Sequence, residues 1–184
     1  MKSKCVTWHT DDVAKRASKP SATEAYRKDV EVFVAAGGDE AVQRVMTAVH
    51  GLARRLNQWY DAQLADLDLS AGEWAVMSAL ARDLEARGLT PSALAEIANV
   101  APSSMTHRLD RMAERELVER FTDPDNRVRV RVLLTDRGWE LFKLAIRESD
   151  MLESDVLRAL KPTERTKLAE LLEQAIGGVD RIDG

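Results

Sequence analysis

The chain has 184 residues, a formal net charge of −4, 45% hydrophobic residues and 32% charged residues. That fits one domain, or one domain plus an extension, with a sizeable buried core and a soluble globular composition. No apolar run approaches the roughly 18 residues of a membrane span. The N-terminus lacks the apolar core of a secretory signal, and one Cys excludes an internal disulfide and suits a reducing, cytoplasmic setting.

Residues 1–20 read as a flexible or partner-docked arm rich in Lys, Ser, Thr and Asp. Cys5 follows Lys4, whose charge can lower a thiol pKa, so Cys5 is either a redox sensor or an incidental exposed thiol. Ser21-x-x-Glu24 has capping-box spacing and opens an extra helix, within 21–38, carrying Tyr26, Val30, Phe33 and Val34. Gly37-Gly38 ends it. Asp39 caps a long helix through about Leu64, with Val42, Val45, Met46, Val49, Leu52, Leu56 and Trp59 at three- and four-residue steps. Gly51 inside it marks a close crossing. Ser70-x-x-Glu73 is a second capping box, starting a helix with Trp74, Val76, Met77, Leu80 and Leu84 that closes at Gly88.

Thr90 to Thr135 read as helix, tight connection, helix and hairpin. Pro91 and Pro102 each stand at a first helical position, where a missing N–H costs nothing. The connection is Asn99-Val100-Ala101, and two helices joined by so short a turn form a helix-turn-helix. In the second helix, to about Arg115, Met105, Leu109 and Met112 share a stripe that should face the core. Ser103, Ser104, His107 and Arg111 lie opposite, with Arg108 on the flank. Small side chains in a first turn can approach base edges, and Arg can bond guanine bidentately; an ordinary solvated face is the other reading.

Leu117–Thr122 and Val128–Leu134 are strands joined by the turn Asp123-Pro124-Asp125-Asn126. Val128, Val130 and Val132 alternate with Arg129 and Arg131, giving one apolar β-branched face and one guanidinium face. Such a ribbon beside a helix-turn-helix suits a narrow minor groove; alone, it would read as a charge-protected edge strand. Residues 101–137 carry eight Arg against seven Asp or Glu, so binding depends on where the charges point.

After Thr135, a helix with Trp139, Leu141, Phe142 and Leu144 should continue to Leu160. Pro162 begins a last one through Leu168, Leu171, Leu172 and Ile176, ended by Gly177-Gly178. These stripes carry more Leu than a small domain needs, so they should pack on the long N-terminal helix of a second copy. The expected organisation is an arm at 1–20, an extra helix at 21–38, dimerisation helices at 39–68 and 137–184, and a DNA-binding domain at 69–136.

Asp125-x-Arg127, followed by Val132-x-Leu134-Thr135, resembles the wing signature of the MarR family of transcription regulators. Leu94-Ala95-Glu96 and Pro102 through Leu109 are similar to that family's helix-turn-helix, and the likeness spans roughly Gln43 to Ile176. It implies a mainly α fold: a winged helix-turn-helix with a small hairpin wing and long terminal dimerisation helices. It further implies a cytoplasmic homodimer that binds palindromic duplex DNA, commonly as a repressor, and is released by a small aromatic ligand. Pro102, Ser103, Ser104, Thr106, His107, Arg108 and Arg111 would serve the major groove. Arg127 and Arg129 would serve the wing, with Asp125 orienting Arg127. His50, Arg54, Trp59, Trp74 and Arg120 could line a ligand pocket, although simple packing also explains both Trp. Urate-responsive relatives place an Asp after the Trp; here Ala75 stands there, which argues against urate even though Arg108 and Arg120 match. Glu116 stands where the family usually has Gly, so the exit from the second helix must pay for, or avoid, a left-handed residue.

No phosphate loop, nucleophile elbow or zinc-protease motif is present, and three His with one Cys argue against a dedicated metal site. The expectation is therefore no enzyme activity, no cofactor and no membrane. The alternatives are a winged-helix protein-interaction module, or a redox-responsive regulator sensing through Cys5.

Overall fold

The computed structural model describes residues 20–85, 87–123 and 126–183. The proposed arm with Cys5, and the turn residues Pro124 and Asp125, lie outside them. The chain divides between Asn57 and Gln58 into two compact units.

In the first unit, α1 (Ala22–Ala35) opens on the expected capping box. The Ser21 N–H donates to Glu24 Oε2 at 2.7 Å, and the Glu24 N–H to Ser21 Oγ at 3.2 Å. The chain then turns through Gly37 at φ +100°. α2 (Glu40–Asp66) begins with Asp39 accepting the Val42 N–H at 2.9 Å. The Tyr26 hydroxyl donates to the Arg44 carbonyl and ties the two helices together. Val42, Val45, Met46, Val49 and Leu52 all remain exposed.

The second unit holds the last turns of α2 and then α3 (Ala71–Ala81), α4 (Pro91–Ile97) and α5 (Pro102–Glu114). Strands β1 (Val118–Asp123) and β2 (Asn126–Leu134) follow, then α6 (Asp136–Val156), a 3₁₀ turn at Leu157–Ala159 and α7 (Pro162–Asp183). The core joins Leu64, Leu69, Val76, Met77 and Leu80 to Leu94, Met105, Leu109 and Met112, closed by Leu117, Val132 and Leu134. At roughly 2 kcal/mol for each fully buried large side chain, this cluster is the main source of stability. Leu64 belongs to it, so this unit reaches back before residue 69, the boundary expected from the sequence.

Three helix ends close on non-glycine residues in the left-handed region: Asp68 at φ 54°, Asn99 at 49° and Glu116 at 58°. Each satisfies the last carbonyls in the same way; after α5, the Glu116 N–H reaches Ala113 and the Leu117 N–H reaches Met112. Glu116 therefore accepts the left-handed conformation. Its carboxylate pairs with Arg137 at 3.1 Å, and its carbonyl accepts the Thr135 hydroxyl. A side chain at Gly138 would collide with the Leu117 carbonyl, which is why α6 can start so close to the wing's base.

Four expectations change. α3 stops at Ala81, because Asp83 captures the Gly88 N–H at 2.7 Å and turns the chain; Leu84, expected in this helix's stripe, is 94% exposed. α6 ends at Val156, and Leu160 is extended ahead of Lys161-Pro162, a pairing that disfavours helix. α7 runs through Gly177-Gly178 to Asp183, since Ile176, Val179 and Ile182 continue its apolar stripe. Finally, the wing's valine face is buried only at its base: Val132 is 0% exposed, Val130 42% and Val128 93%. The hairpin therefore projects from the body instead of packing along it.

Candidate nucleic-acid interface

α4 is capped by Thr90, whose hydroxyl accepts the Ala93 N–H, and it leads through Asn99 into α5. α5 is held from below by Met105, Leu109 and Met112, each 0% exposed. That leaves Pro102, Ser103, Ser104, Thr106, His107 and Arg111 on the exposed side. No side chain caps the start of α5. Its first N–H groups are thus open to an anion, which the helix dipole also favours. The Thr106 hydroxyl donates to the Pro102 carbonyl at 3.1 Å, so outward it offers a lone pair and a methyl group, not a donor. The Arg108 guanidinium folds back against Gly72 at the start of α3, away from the outer face of α5.

The wing is a two-stranded sheet with one further backbone bridge. β1 and β2 pair antiparallel, Val118 opposite Leu134 and Thr122 opposite Val130, with an irregularity at Thr122/Asp123. Leu89 bridges Val132 from the other edge through two N–H···O bonds of 2.9 and 3.1 Å. Gly88, at φ +74°, lets this segment approach; a Cβ there would lie 2.8 Å from the Val132 carbonyl.

Charge is sorted by partner. Arg115 binds Glu73 at 3.1 Å and Asp68 at 3.3 Å; Arg120 binds Asp110 at 2.7 Å; Arg131 binds Asp123 at 2.6 Å and donates to the Gly88 carbonyl at 2.8 Å. Arg137 pairs with Glu116. Among the described residues, Arg111, Arg127 and Arg129 carry no ion pair and are exposed. Within 101–137, Asp110, Glu116 and Asp123 are held by structural arginines, while Arg111 on α5 and Arg127 and Arg129 on the wing keep exposed guanidinium groups. Arg131, one of the three wing arginines, is turned back to brace the wing. The orienting role expected of Asp125 falls outside the described residues.

Burial would by itself raise the pKa of Glu73. Hydrogen bonds from the Ser70 hydroxyl and N–H, followed by the charges of Arg115 and Arg111, outweigh it and hold the carboxyl below its ordinary range. This carboxylate links the start of α3 to the end of α5.

Sequence reasoning missed the groove between the start of α4 and the wing, lined by Thr90, Pro91, Ser92, Asn126, Val128, Arg129 and Val130. The available signal was the hydroxyl pair flanking Pro91, at the start of a helix facing a basic ribbon.

The residues expected at a ligand pocket are placed as follows. In the first unit, His50 is exposed, and Arg54 lines a groove of about 260 Å³ with Tyr26, Asp29, Gly51 and Arg55. In the second, Trp74 stacks on Phe142 at 5.0 Å between ring centroids and lines a cavity of about 180 Å³ between α2, α3 and α6. Trp59 is half exposed and is not among that cavity's lining residues. Arg120 is on the wing side, bonded to Asp110 and the Thr106 carbonyl. Among the described residues, no cluster of His, Cys, Asp or Glu could hold a metal ion, and no helix is long and apolar enough to cross a membrane.

A short two-helix unit joined by a tight turn and flanked by a projecting, arginine-bearing hairpin is a winged helix-turn-helix domain. Residues 69–130 match the model of the MarR family. With the winged helix-turn-helix, that match makes the domain that of a MarR-type DNA-binding transcription regulator. The chain is 29% identical over 112 residues to the HTH-type transcriptional regulator PecS of Dickeya dadantii (strain 3937), covering 61% of this chain and 68% of PecS. Its fold is similar to wild-type MarR from E. coli in its apo form, with TM-score 0.59 and 23% identity over 70% of this chain and 93% of that one. It is also similar to a MepR mutant of S. aureus bound to an oligodeoxyribonucleotide, with TM-score 0.57 and 18% identity over 73% and 97% of the two chains.

Proposed function

We propose that this protein is a cytoplasmic, homodimeric repressor that binds palindromic duplex DNA and is released by a small aromatic ligand. The observation that carries the reading is the sorting of arginines: those that brace the fold are paired, and Arg111, Arg127 and Arg129 have no ion pair among the described residues. Ser103, Ser104, Thr106, His107 and Arg111 would approach base edges and phosphates in the major groove, with Pro102 setting the start of the helix. Arg127 and Arg129 would enter the adjacent minor groove, where a narrow groove concentrates negative potential. Ser92, beside Arg129, would meet the backbone between them. Arg108 would reach DNA only by leaving Gly72.

Dimerisation is supported by apolar surface that one chain leaves uncovered. Leu168, Leu171, Leu172, Ile176, Val179 and Ile182 recur along α7 at helical spacing and are all exposed. The stripe on α2 from Val42 to Leu52 is exposed as well. Covering such stripes with those of a second copy would give the apolar interface typical of obligate dimers. Two-fold symmetry would then present two α5 helices and two wings to one side of the duplex.

Selection of bound duplexes from a random library tests this reading. The expected result is an inverted repeat with half-sites about 10 base pairs apart, centre to centre. Recovery of no sequence, with binding no tighter than to bulk duplex, would refute it.

A further inference from the structure

The cavity beside Trp74 has a chemistry of its own. Tyr60 and Gln63 come from α2, Trp74 from α3, and Ile146, Ser149 and Glu153 from α6. Gln63 is fully committed: its amide donates to the Ala145 carbonyl at 2.9 Å and accepts from the Ser149 hydroxyl at 3.1 Å. It fastens α2 to α6 and cannot turn to serve a ligand. The Tyr60 hydroxyl donates to Glu153 Oε1 at 2.6 Å. Burial, then this bond and the adjacent negative charge, push the phenol's pKa up to about 12, so it stays a neutral donor. The second carboxylate oxygen of Glu153 has no hydrogen bond among the described residues. Among the described residues, no Arg, Lys or His lines the cavity.

We propose that this cavity is the effector site and that it selects a single-ring aromatic amine in its cationic form. The inference rests on the regulator reading above and gives the ligand its class. Charge decides the sign. A carboxylate or phenolate ligand would be desolvated beside Glu153 with no cation to meet it, whereas an ammonium group would find the open oxygen of Glu153 and the aromatic walls of Tyr60 and Trp74. Size decides the rest. About 180 Å³ is close to the roughly 150 Å³ of an apolar cavity that holds benzene, and below the roughly 300 Å³ at which drug-sized pockets begin. One ring with a short ammonium tail fits; a fused polycycle does not.

The site is also placed to act on DNA binding. Trp74 is preceded by Glu73, whose carboxylate grips Arg115 at the end of α5. A ligand that wedges Trp74 moves the helix that anchors α5. It would release DNA if it binds the displaced arrangement more tightly.

The test uses the full chain with two single-ring probes of similar size and opposite charge, 2-phenylethylammonium and phenylacetate, in calorimetry and in release of the selected duplex followed by anisotropy. The expected result is one ammonium bound per chain, phenylacetate at least tenfold weaker, and duplex release by the amine alone. Glu153→Gln should weaken the amine at least tenfold and erase the preference between probes, with an unchanged melting curve. Should Glu153→Gln fail to fold, Ile146→Trp, which fills the cavity from its rim, must abolish amine binding. Equal or tighter binding of phenylacetate overturns the proposal, as does amine binding that survives either variant. A chain that binds its duplex but neither probe also overturns it and leaves the regulator reading standing. A chain that selects no duplex refutes that reading instead.

Discussion

The wing offers three arginines within five residues, and the structure divides them into two kinds. Arg127 and Arg129 are exposed and carry no ion pair among the described residues, whereas Arg131 is tied to Asp123 and to the Gly88 carbonyl. Replacing Arg127 or Arg129 by Ala should remove a phosphate or minor-groove interaction and leave the fold untouched. Deleting one arginine–phosphate interaction lowers the slope of log K against log salt by about 0.9, and a dimer that forfeits two is lowered by about 1.8. Across a rise from about 50 to 200 mM salt, that slope corresponds to about 3.5-fold in affinity for one arginine and about 12-fold for the pair. Arg131→Ala should behave differently. Asp123 is 3% exposed, so losing Arg131 removes a charge-assisted hydrogen bond from a buried carboxylate and should cost on the order of 2 kcal/mol in stability. Its effect on DNA should follow from a misplaced wing, with a salt slope close to wild type for the protein that remains folded. Fluorescence anisotropy on the selected duplex at four or more salt concentrations, paired with urea unfolding, separates the two kinds. An unchanged slope in both Arg127→Ala and Arg129→Ala would refute the assignment. So would a reduced slope in a fully stable Arg131→Ala.

Glu116→Gly should stabilise the chain, because relief of the left-handed Cβ is worth about 1 kcal/mol and the exposed pair with Arg137 contributes less than that. For a chain of this length the melting temperature should rise by about 1–3 °C, and Glu116→Ala, which keeps the strain and loses the pair, should fall below wild type. The reverse order would show that the conformation is not strained. Glu73 has a folded pKa below its ordinary value of 4.5, so protonation favours the unfolded chain; its stabilisation is present above that pH and lost as pH falls through the folded value. Glu73→Gln should therefore flatten the acid limb of stability and cost on the order of 2 kcal/mol at neutral pH, less than a fully buried pair because Arg115 is partly solvated. An acid limb identical to wild type would remove Glu73 as its source. Leu168→Glu with Leu172→Glu should yield a monomer by light scattering with little loss of helix, and should abolish binding to the palindrome; a persisting dimer would exclude α7 from the interface.

Local signals carried most of the element map. The two Ser-x-x-Glu boxes, the prolines at 91 and 102, and the alternation from Val128 to Val132 each act within a few residues, where backbone hydrogen bonding and side-chain period decide conformation. They placed the helix starts, the helix-turn-helix and the hairpin. The buried stripe of α5 and the polar residues opposite it were legible for the same reason, because one periodicity determines both.

Only the tertiary structure decided what depends on partners distant in sequence. Arg127, Arg129 and Arg131 are alike as residues; Asp123 and Gly88, brought up by the hairpin and the Leu89 bridge, make Arg131 a brace and leave the others free. Leu84 had the right spacing for the α3 stripe, yet a carboxylate at Asp83 bonded to Gly88 ended that helix first. Glu153 and Tyr60, 93 positions apart, carry no motif, and their cavity arises where α2 meets α6. Period and capping are properties of a few neighbouring residues, so a linear chain displays them. Charge pairing and enclosure are properties of the packed state, which the chain specifies but does not display.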